Sequence, residues 1–188
     1  IFGGSAEYIL ANPNGITCNG CGFINTPRST LSTGTPTVAG GNVQLSVENG
    51  DILIEGLGLD ASNLTAFEII SRTAALTANL NAQDLKIITG RNDVDHATGD
   101  VTPKADNGSP KPTISIDSSL LGGMYAGRIT LLSTEAGVGV NMQGDMAANT
   151  DQMTLTADGR LVLKNATAAS TLSVISLNSD IEITGDLY

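Results

Sequence analysis

The chain is built from short runs in which apolar and polar residues alternate, separated by corners such as Asn-Gly and Asp-Gly. Three similar phrases occupy residues 45–56 (LSVENGDILIEG), 153–163 (MTLTADGRLVL) and 174–185 (VISLNSDIEITG). Alternation with a period of two directs one set of side chains inward and the other to water, as in a β-strand. Each phrase therefore predicts two short strands joined by a tight corner.

The phrases return at a nearly constant spacing. Leu161 precedes Ile181 by 20 residues, and Val138 precedes Leu161 by 23. A period near 20 with two or three strands per unit is typical of one coil of a solenoid. We predict an all-β fold, a right-handed parallel β-helix, with about nine coils stacked roughly 4.8 Å apart. A β-sandwich also alternates, but a corner that recurs at similar spacing favours the solenoid.

Two segments depart from the simple pattern. Residues 63–85 fit helical spacing and also two strands, at 67–72 and 75–80, and their Thr, Asn and β-branched content favours strands. Residues 91–112 are polar and contain three prolines, which cannot donate to a sheet ladder. We predict an irregular loop there, an excursion from the single β-helix region that spans residues 1–188.

Composition and charge narrow the function classes. Only 3% of the residues are aromatic, and the small aliphatic residues that dominate suit a narrow interior. The net charge is 9 − 19 = −10 without a basic stripe, which disfavours a nucleic-acid partner. No apolar run approaches the roughly 20 residues that span a bilayer, so we expect no membrane insertion. We expect a monomer, and an excerpt of a longer protein because Ile1 opens within a strand-like phrase.

Cys18 and Cys21 enclose Asn-Gly in a CxxC motif. No helix is predicted after the motif to lower a thiol pKa, as redox chemistry requires. A zinc site needs four ligands, and the single imidazole, His96, lies far away in the polar segment. We interpret the pair as a structural disulfide across a tight turn, formed in an oxidising compartment. Free thiols and a redox or metal role are the alternatives.

The segment Asn12, Pro13, Asn14, Gly15 matches a type I turn position by position. Asn at the first position accepts a local hydrogen bond, Pro at the second fixes φ, and Gly at the fourth tolerates a positive φ. As physical chemistry the segment is a turn. A partner that reads it is a further hypothesis.

The sequence shows no catalytic constellation. It lacks a GxSxG elbow, a P-loop and a GxGxxG motif. Asp51 and Asp180 occupy similar corners but lie 180 − 51 = 129 residues apart. We predict no catalytic residues, no cofactor and no metal site, and hence no enzyme.

Residues 7–28 (EYILANPNGITCNGCGFINTPR) closely resemble the secretion-domain signature of two-partner-secretion exoproteins. That family holds the filamentous haemagglutinins, related haemolysins and the large toxins of contact-dependent growth inhibition. The CxxC variant is most similar to the haemolysin and growth-inhibition branch. Residues 121–129 (LGGMYAGRI) and 134–140 (TEAGVGV) form a second matching block, so the resemblance spans nearly the whole chain.

The resemblance implies a β-helix near the amino end of a long protein, exported through the periplasm to the exterior or the cell surface. It implies, as partner, the periplasmic modules of a cognate outer-membrane β-barrel transporter. The implied secretion motif consists of Asn12, Pro13, Asn14, Gly15 and Ile16. The family's domain begins earlier, with a cap and a further Asn-Pro-Asn type motif. The chain is therefore expected to be the later part of an amino-terminal secretion domain.

Three function classes follow. The first is a secretion-targeting and folding-nucleation domain of a large exported adhesin or toxin. The second is an adhesive module that binds host or neighbouring cells through residues 91–112 or flat sheet faces. The third, a polysaccharide-cleaving enzyme, would need aromatic platforms that six aromatic residues hardly supply.

Overall fold

Residues 5–188 are described by a computed structural model, in which the chain forms twenty strands and no helix. The strands of the first three coils are β1 (Tyr8–Ala11), β2 (Ile16–Gly22), β3 (Arg28–Ser32), β4 (Thr35–Ala39), β5 (Asn42–Ser46), β6 (Asp51–Ala61), β7 (Ala66–Ser71), β8 (Thr73–Leu76) and β9 (Leu80–Ala82). Those of the later coils are β10 (Asp84–Thr89), β11 (Asn92–Asp95), β12 (Val101–Pro103), β13 (Ile114–Ser118), β14 (Met124–Ala126), β15 (Arg128–Ser133), β16 (Gly139–Ala148), β17 (Met153–Ala157), β18 (Leu161–Ala168), β19 (Leu172–Ser176) and β20 (Ile181–Ile183).

The coils stack into three parallel faces, which confirms the predicted β-helix. Face 1 takes one strand from each of seven coils, in the order β1-β3-β7-β10-β15-β17-β19. The other coil strands form one nine-stranded sheet that bends at a corner into face 2 and face 3. The long strands β6, β16 and β18 run through that corner and contribute to both faces.

The core consists of inward columns in which each coil places one side chain above the next. On face 1 a column runs through Leu10, Leu31, Ile69, Ile87, Leu131, Leu155 and Val174. On face 2 the column is Ile16, Ile52, Ala74, Ile116, Val140, Leu161 and Ile181. On face 3 it is Cys21, Leu59, Leu80, Met124, Met146, Ala166 and Leu187.

The pairing of Leu161 with Ile181 follows the predicted 20-residue spacing. The prediction for the preceding coil is wrong by two residues, because Val140 and not Val138 lies opposite Leu161. A shift of two residues leaves the same side chains facing inward. Alternation alone therefore identifies the buried side of a strand but not its register.

The number of coils is seven rather than the predicted nine, because two segments leave the rod. Residues 33–50 separate β3 from β6, and residues 90–113 separate β10 from β13. These 18 + 24 = 42 residues correspond to about two coils of the predicted length. The expected strand at 67–72 is confirmed as β7, whereas the one at 75–80 is divided between β8 and β9 by a corner.

The excursions build a second sheet. Strands β4, β5, β11 and β12 form an antiparallel sheet in the order β12-β11-β5-β4, here called the outer sheet. The expectation of an irregular loop over 91–112 is therefore corrected, since Asn92–Asp95 and Val101–Pro103 are strands. The outer sheet covers Ile70 and Ile88, which point outward from face 1 yet are only 1% exposed.

We expect truncation in the core to be costly. Leu155 is fully buried in the face 1 column of the sixth coil, whereas Leu177, which follows β19 in the seventh coil, is 62% exposed. Leu155→Ala should lower the free energy of unfolding by about 2–5 kcal/mol, because it removes buried methyl groups and leaves a cavity. Leu177→Ala should change it by less than about 0.5 kcal/mol. Urea unfolding followed by circular dichroism measures both, and equal losses would contradict the assignment of the core.

Candidate functional site

Residues 12–15 of the predicted motif join β1 to β2 as a tight turn, and Ile16, its last residue, begins β2. The Gly15 N–H donates to the Asn12 carbonyl at 3.0 Å, and the Asn14 N–H donates to Asn12 Oδ1 at 3.1 Å. Among the described residues Asn25 is the one non-glycine with a positive φ, so Asn14 does not have the conformation of a type II turn. The predicted turn is thus present, with Gly15 at φ +115°.

Two asparagines of this turn differ in what they do for the fold. The Asn12 side chain closes the turn, because its oxygen accepts the Asn14 N–H. The Asn14 side chain is exposed and makes no hydrogen bond with any residue from 5 to 188. The turn therefore depends on Asn12, while Asn14 is free for contact with another molecule.

The turn is seated on the corner of the second coil. The Asn12 N–H donates to the Ser32 carbonyl at 2.9 Å. At Gly50, which has φ +92°, an added Cβ would lie 2.6 Å from the Pro13 carbonyl oxygen and 2.8 Å from Thr33 Cβ. A glycine is therefore needed at position 50, because its φ is positive and because any larger side chain would clash with Pro13 and Thr33. The Asn-Gly corner was evident in the sequence, but its contact with the turn was not.

Cys18 and Cys21 form the disulfide expected from the sequence. Cys18 is paired with Ile54 on face 2, and Cys21 is paired with Leu59 on face 3. The disulfide therefore crosses the corner between face 2 and face 3 in the first coil. Both cysteines occupy inward positions of their strands. Within residues 5–188 no cysteine is free.

A hydrogen bond couples the disulfide corner to the next coil. Asn19 Oδ1 accepts the Leu57 N–H at 3.1 Å. Leu57 itself is 88% exposed and lies against Gly20. Sequence reasoning singled out the cysteines and missed Asn19, whose role depends on a contact 38 residues away.

His96 lies beneath the outer sheet and is buried, not exposed in a polar loop. Arg28 donates to Glu68 Oε2 at 2.9 Å and to the His96 carbonyl at 2.8 Å. Thr30 donates to Glu68 Oε2 at 2.8 Å, and its oxygen lies 2.9 Å from His96 Nε2. Because the Thr30 proton is directed to Glu68, His96 Nε2 carries a proton and donates to Thr30.

The electrostatics of this cluster disfavour a charged imidazole. Burial, and then the charge of Arg28, lower the pKa of His96 below its ordinary value of 6.5, against the opposing effect of Glu68, Glu7 and Asp95. The cluster is closed by its own hydrogen bonds and is not arranged around an open site. Its role is therefore structural.

Nothing in the described geometry assembles a metal or catalytic site. Residues 5–188 contain no group of three or more His, Cys, Asp and Glu side chains that could hold a metal ion. Asp51 begins β6 in the second coil and Asp180 precedes β20 in the seventh, so five coils, or about 24 Å, separate them. The same part of the chain holds no helix capable of crossing a membrane.

Comparison with known proteins identifies the family. A sequence model of the TPS secretion domain matches residues 1–163 of the 188. The chain belongs to the TPS secretion domain family. TPS domains are non-catalytic secretion modules of exoproteins that are secreted or surface-exposed through two-partner secretion, with a cognate transporter in the outer membrane as partner.

Relatives of this TPS domain include much longer proteins. It is 40% identical to Toxin CdiA of Yersinia pestis over 189 aligned positions and 44% identical to 16S rRNA endonuclease CdiA of Enterobacter cloacae over 188. It is 48% identical to tRNA nuclease CdiA of Yersinia mollaretii over 170. These alignments cover 100%, 99% and 89% of the chain but 6% of each relative.

The fold agrees with a solved structure of the family. The crystal structure of the filamentous hemagglutinin secretion domain superposes with a TM-score of 0.91 at 32% identity. The superposition covers 99% of this TPS domain and 65% of the hemagglutinin chain.

We expect the TPS domain to lose stability as the pH falls below about 6.5. The pKa of His96 is lower in the folded chain than in the unfolded chain, so the unfolded chain takes up a proton first. His96 is the sole histidine, and carboxylates titrate mainly below about pH 5. Urea unfolding at pH 7.5 and 5.5 should show this loss, and His96→Gln should reduce it. An equal loss in the variant would contradict the assignment.

Gly50→Ala should destabilise the turn and the corner beneath it. The added methyl group would meet the Pro13 carbonyl at a positive φ, at a cost of more than about 2 kcal/mol. Gly40→Ala is the matched control, because Gly40 has φ +60° with nothing within 4 Å and should cost only about 1 kcal/mol. Equal losses in urea unfolding would show that the corner contact contributes nothing.

Proposed function

We propose that this TPS domain directs export of its exoprotein by presenting Asn12–Ile16 to the periplasmic modules of a cognate outer-membrane β-barrel transporter. We further propose that the domain nucleates folding of the chain once it is outside. The observation that carries the targeting proposal is the exposed Asn14 side chain in a turn that Asn12 closes without it. A side chain that the fold does not use, within a motif of the family, is suited to be read by a partner.

The sequence around the motif also suits recognition before folding. The motif and the cysteine pair lie within ten residues of each other, so a partner can read them in an unfolded segment. The fold that follows is dominated by pairings between coils about 20 residues apart, and such non-local contacts form slowly. Slow folding would keep the chain unfolded, and therefore able to pass through a pore, while it crosses the membrane.

Folding outside would then favour export in one direction. Each added coil contributes at least three large inward aliphatic side chains, such as Leu155, Leu161 and Leu163 of the sixth coil. Their burial amounts to roughly 5–8 kcal/mol gross per coil, before chain entropy removes most of it. The remaining gain for each coil opposes return of the chain into the pore.

Adhesion is a second candidate, supported by the outer sheet. All five residues of β4 are exposed, including Val38 at 73%. Deleting residues 92–111 would remove β11 and β12 and uncover Ile70 and Ile88, so it would not test adhesion cleanly. Val38→Asp changes the exposed strand alone. Reduced cell binding with normal export would favour an adhesive role for β4.

The decisive test of targeting is export of the full-length amino-terminal domain, tagged, with and without its transporter. Asn14→Ala should abolish transporter-dependent export while the free energy of unfolding stays within about 0.5 kcal/mol of the parent. Asn149→Ala is the matched control, since Asn149 is also an exposed corner asparagine whose side chain makes no hydrogen bond with residues 5–188. It should be exported normally.

Two further variants separate recognition from structure. Asn12→Ala loses the hydrogen bond that closes the turn, and Cys18→Ser loses the disulfide. Both should lower the stability of the folded domain. Unchanged export of Asn14→Ala would reduce the motif to a turn and leave adhesion as the hypothesis to pursue.

A further inference from the structure

The outer sheet joins coils that are not neighbours in the stack. Strand β5 belongs to the excursion of the second coil, and β11 belongs to that of the fourth. The two strands pair antiparallel, with Leu45 opposite Val94 and Ser46 opposite Asp93. The third coil sends no strand outward, so this pairing passes over it.

Beneath the pairing lies an apolar layer to which several coils contribute. Leu45 and Val47 come from the second coil's excursion, Ile70 from the third coil, and Ile88 and Val94 from the fourth. All five are at most 1% exposed. Ile9 of the first coil packs against them and is partly buried. The layer therefore contacts the first four coils at once.

Charged side chains close both margins of this layer. On one side Arg28 of the second coil binds Glu68 of the third, which in turn lies 3.6 Å from His96 of the fourth coil's excursion. On the other side Glu48 forms ion pairs with Arg91 and Lys104. These ion pairs link the corner of the second coil to the excursion of the fourth coil. The contacts of Glu48, and the hydrogen bond from Arg28 to the His96 carbonyl, again connect coils two apart.

One further ion pair reaches the fifth coil. Arg72 of the third coil binds Glu135 at 2.9 Å and also donates to the Pro110 carbonyl. In the seventh coil no residue from 5 to 188 forms an outer layer on face 1. Ile175, which points outward from β19, is 44% exposed.

We propose that the outer sheet is a clasp that makes coils one to four fold as a single cooperative unit. Folding during export would then begin only when β11 and Lys104 have emerged, and coils five to seven would add one at a time. The inference rests on the proposed folding role and specifies where the nucleus ends. A plain solenoid folds through nearest-neighbour contacts and can start at any coil. Here the layer over Ile70 and Ile88 is complete only when β11 has added Val94.

The clasp can be tested by hydrogen exchange in the 188-residue chain, without a transporter. Val94→Asp places a charge in the apolar layer and should open the clasp. We expect the amides of β3, β7 and β10 to exchange at least about tenfold faster, by similar factors, while those of β17 and β18 keep their rates. Val38→Asp makes the same change in the same sheet at an exposed position and should leave all rates unaltered.

Two results would overturn the proposal. Faster exchange confined to β5, β11 and β12 would show that the outer sheet is an independent appendage. Equal acceleration in all seven coils would show that the whole rod is one unit. If Val94→Asp does not fold, Val94→Ala should give the same pattern with smaller factors, and the same two results count against the clasp.

The outcome is separable from that of the targeting test. Cooperative exchange of coils one to four, together with normal export of Asn14→Ala, would keep the clasp and reject the targeting motif. Loss of export in Asn14→Ala with exchange confined to the outer sheet would keep the motif and reject the clasp.

Discussion

Parallel pairing at about 4.8 Å per coil forces each coil to repeat the cross-section of the one before it. Inward positions therefore stack into columns, such as the one from Ile16 to Ile181 on face 2. The same constraint acts on the corners, where backbones approach closely and Gly50 must accommodate the Pro13 carbonyl. An inserted segment has to leave from a corner and return to it, as residues 33–50 and 90–113 do.

The sequence predicts the location of the strands better than their register or the outer sheet. Alternation identified the strands and their buried sides, because a strand has a fixed period of two. It did not distinguish Val138 from Val140 as the partner of Leu161, since both choices have the same parity. Nor did it show that Leu45 lies in the outer sheet, although its phrase matches the one at 174–185. A signal for the outer sheet was present in the adjacent pairs at 69–70 and 87–88, where two isoleucines in a row place a large apolar side chain on each side of the strand.

In the candidate site, too, local contacts could be predicted from the sequence and long-range contacts could not. The turn and the disulfide were predictable because their interactions are local, within three residues along the chain. The different roles of Asn12 and Asn14 were not, since both are polar residues of one turn and only the hydrogen-bond geometry separates them. The burial of His96 depends on Thr30 and Glu68, which are 66 and 28 residues away, and no local pattern announces such a contact.

The position of the disulfide has a consequence for the topology of the chain. A bond between cysteines far apart in sequence would close a large loop, and a narrow pore would have to admit two or more segments side by side. Cys18 and Cys21 are three residues apart, so their bond closes only a small ring. The oxidised chain remains a single thread from end to end. Oxidation in the periplasm and passage through a narrow channel are therefore mutually compatible steps, whichever comes first.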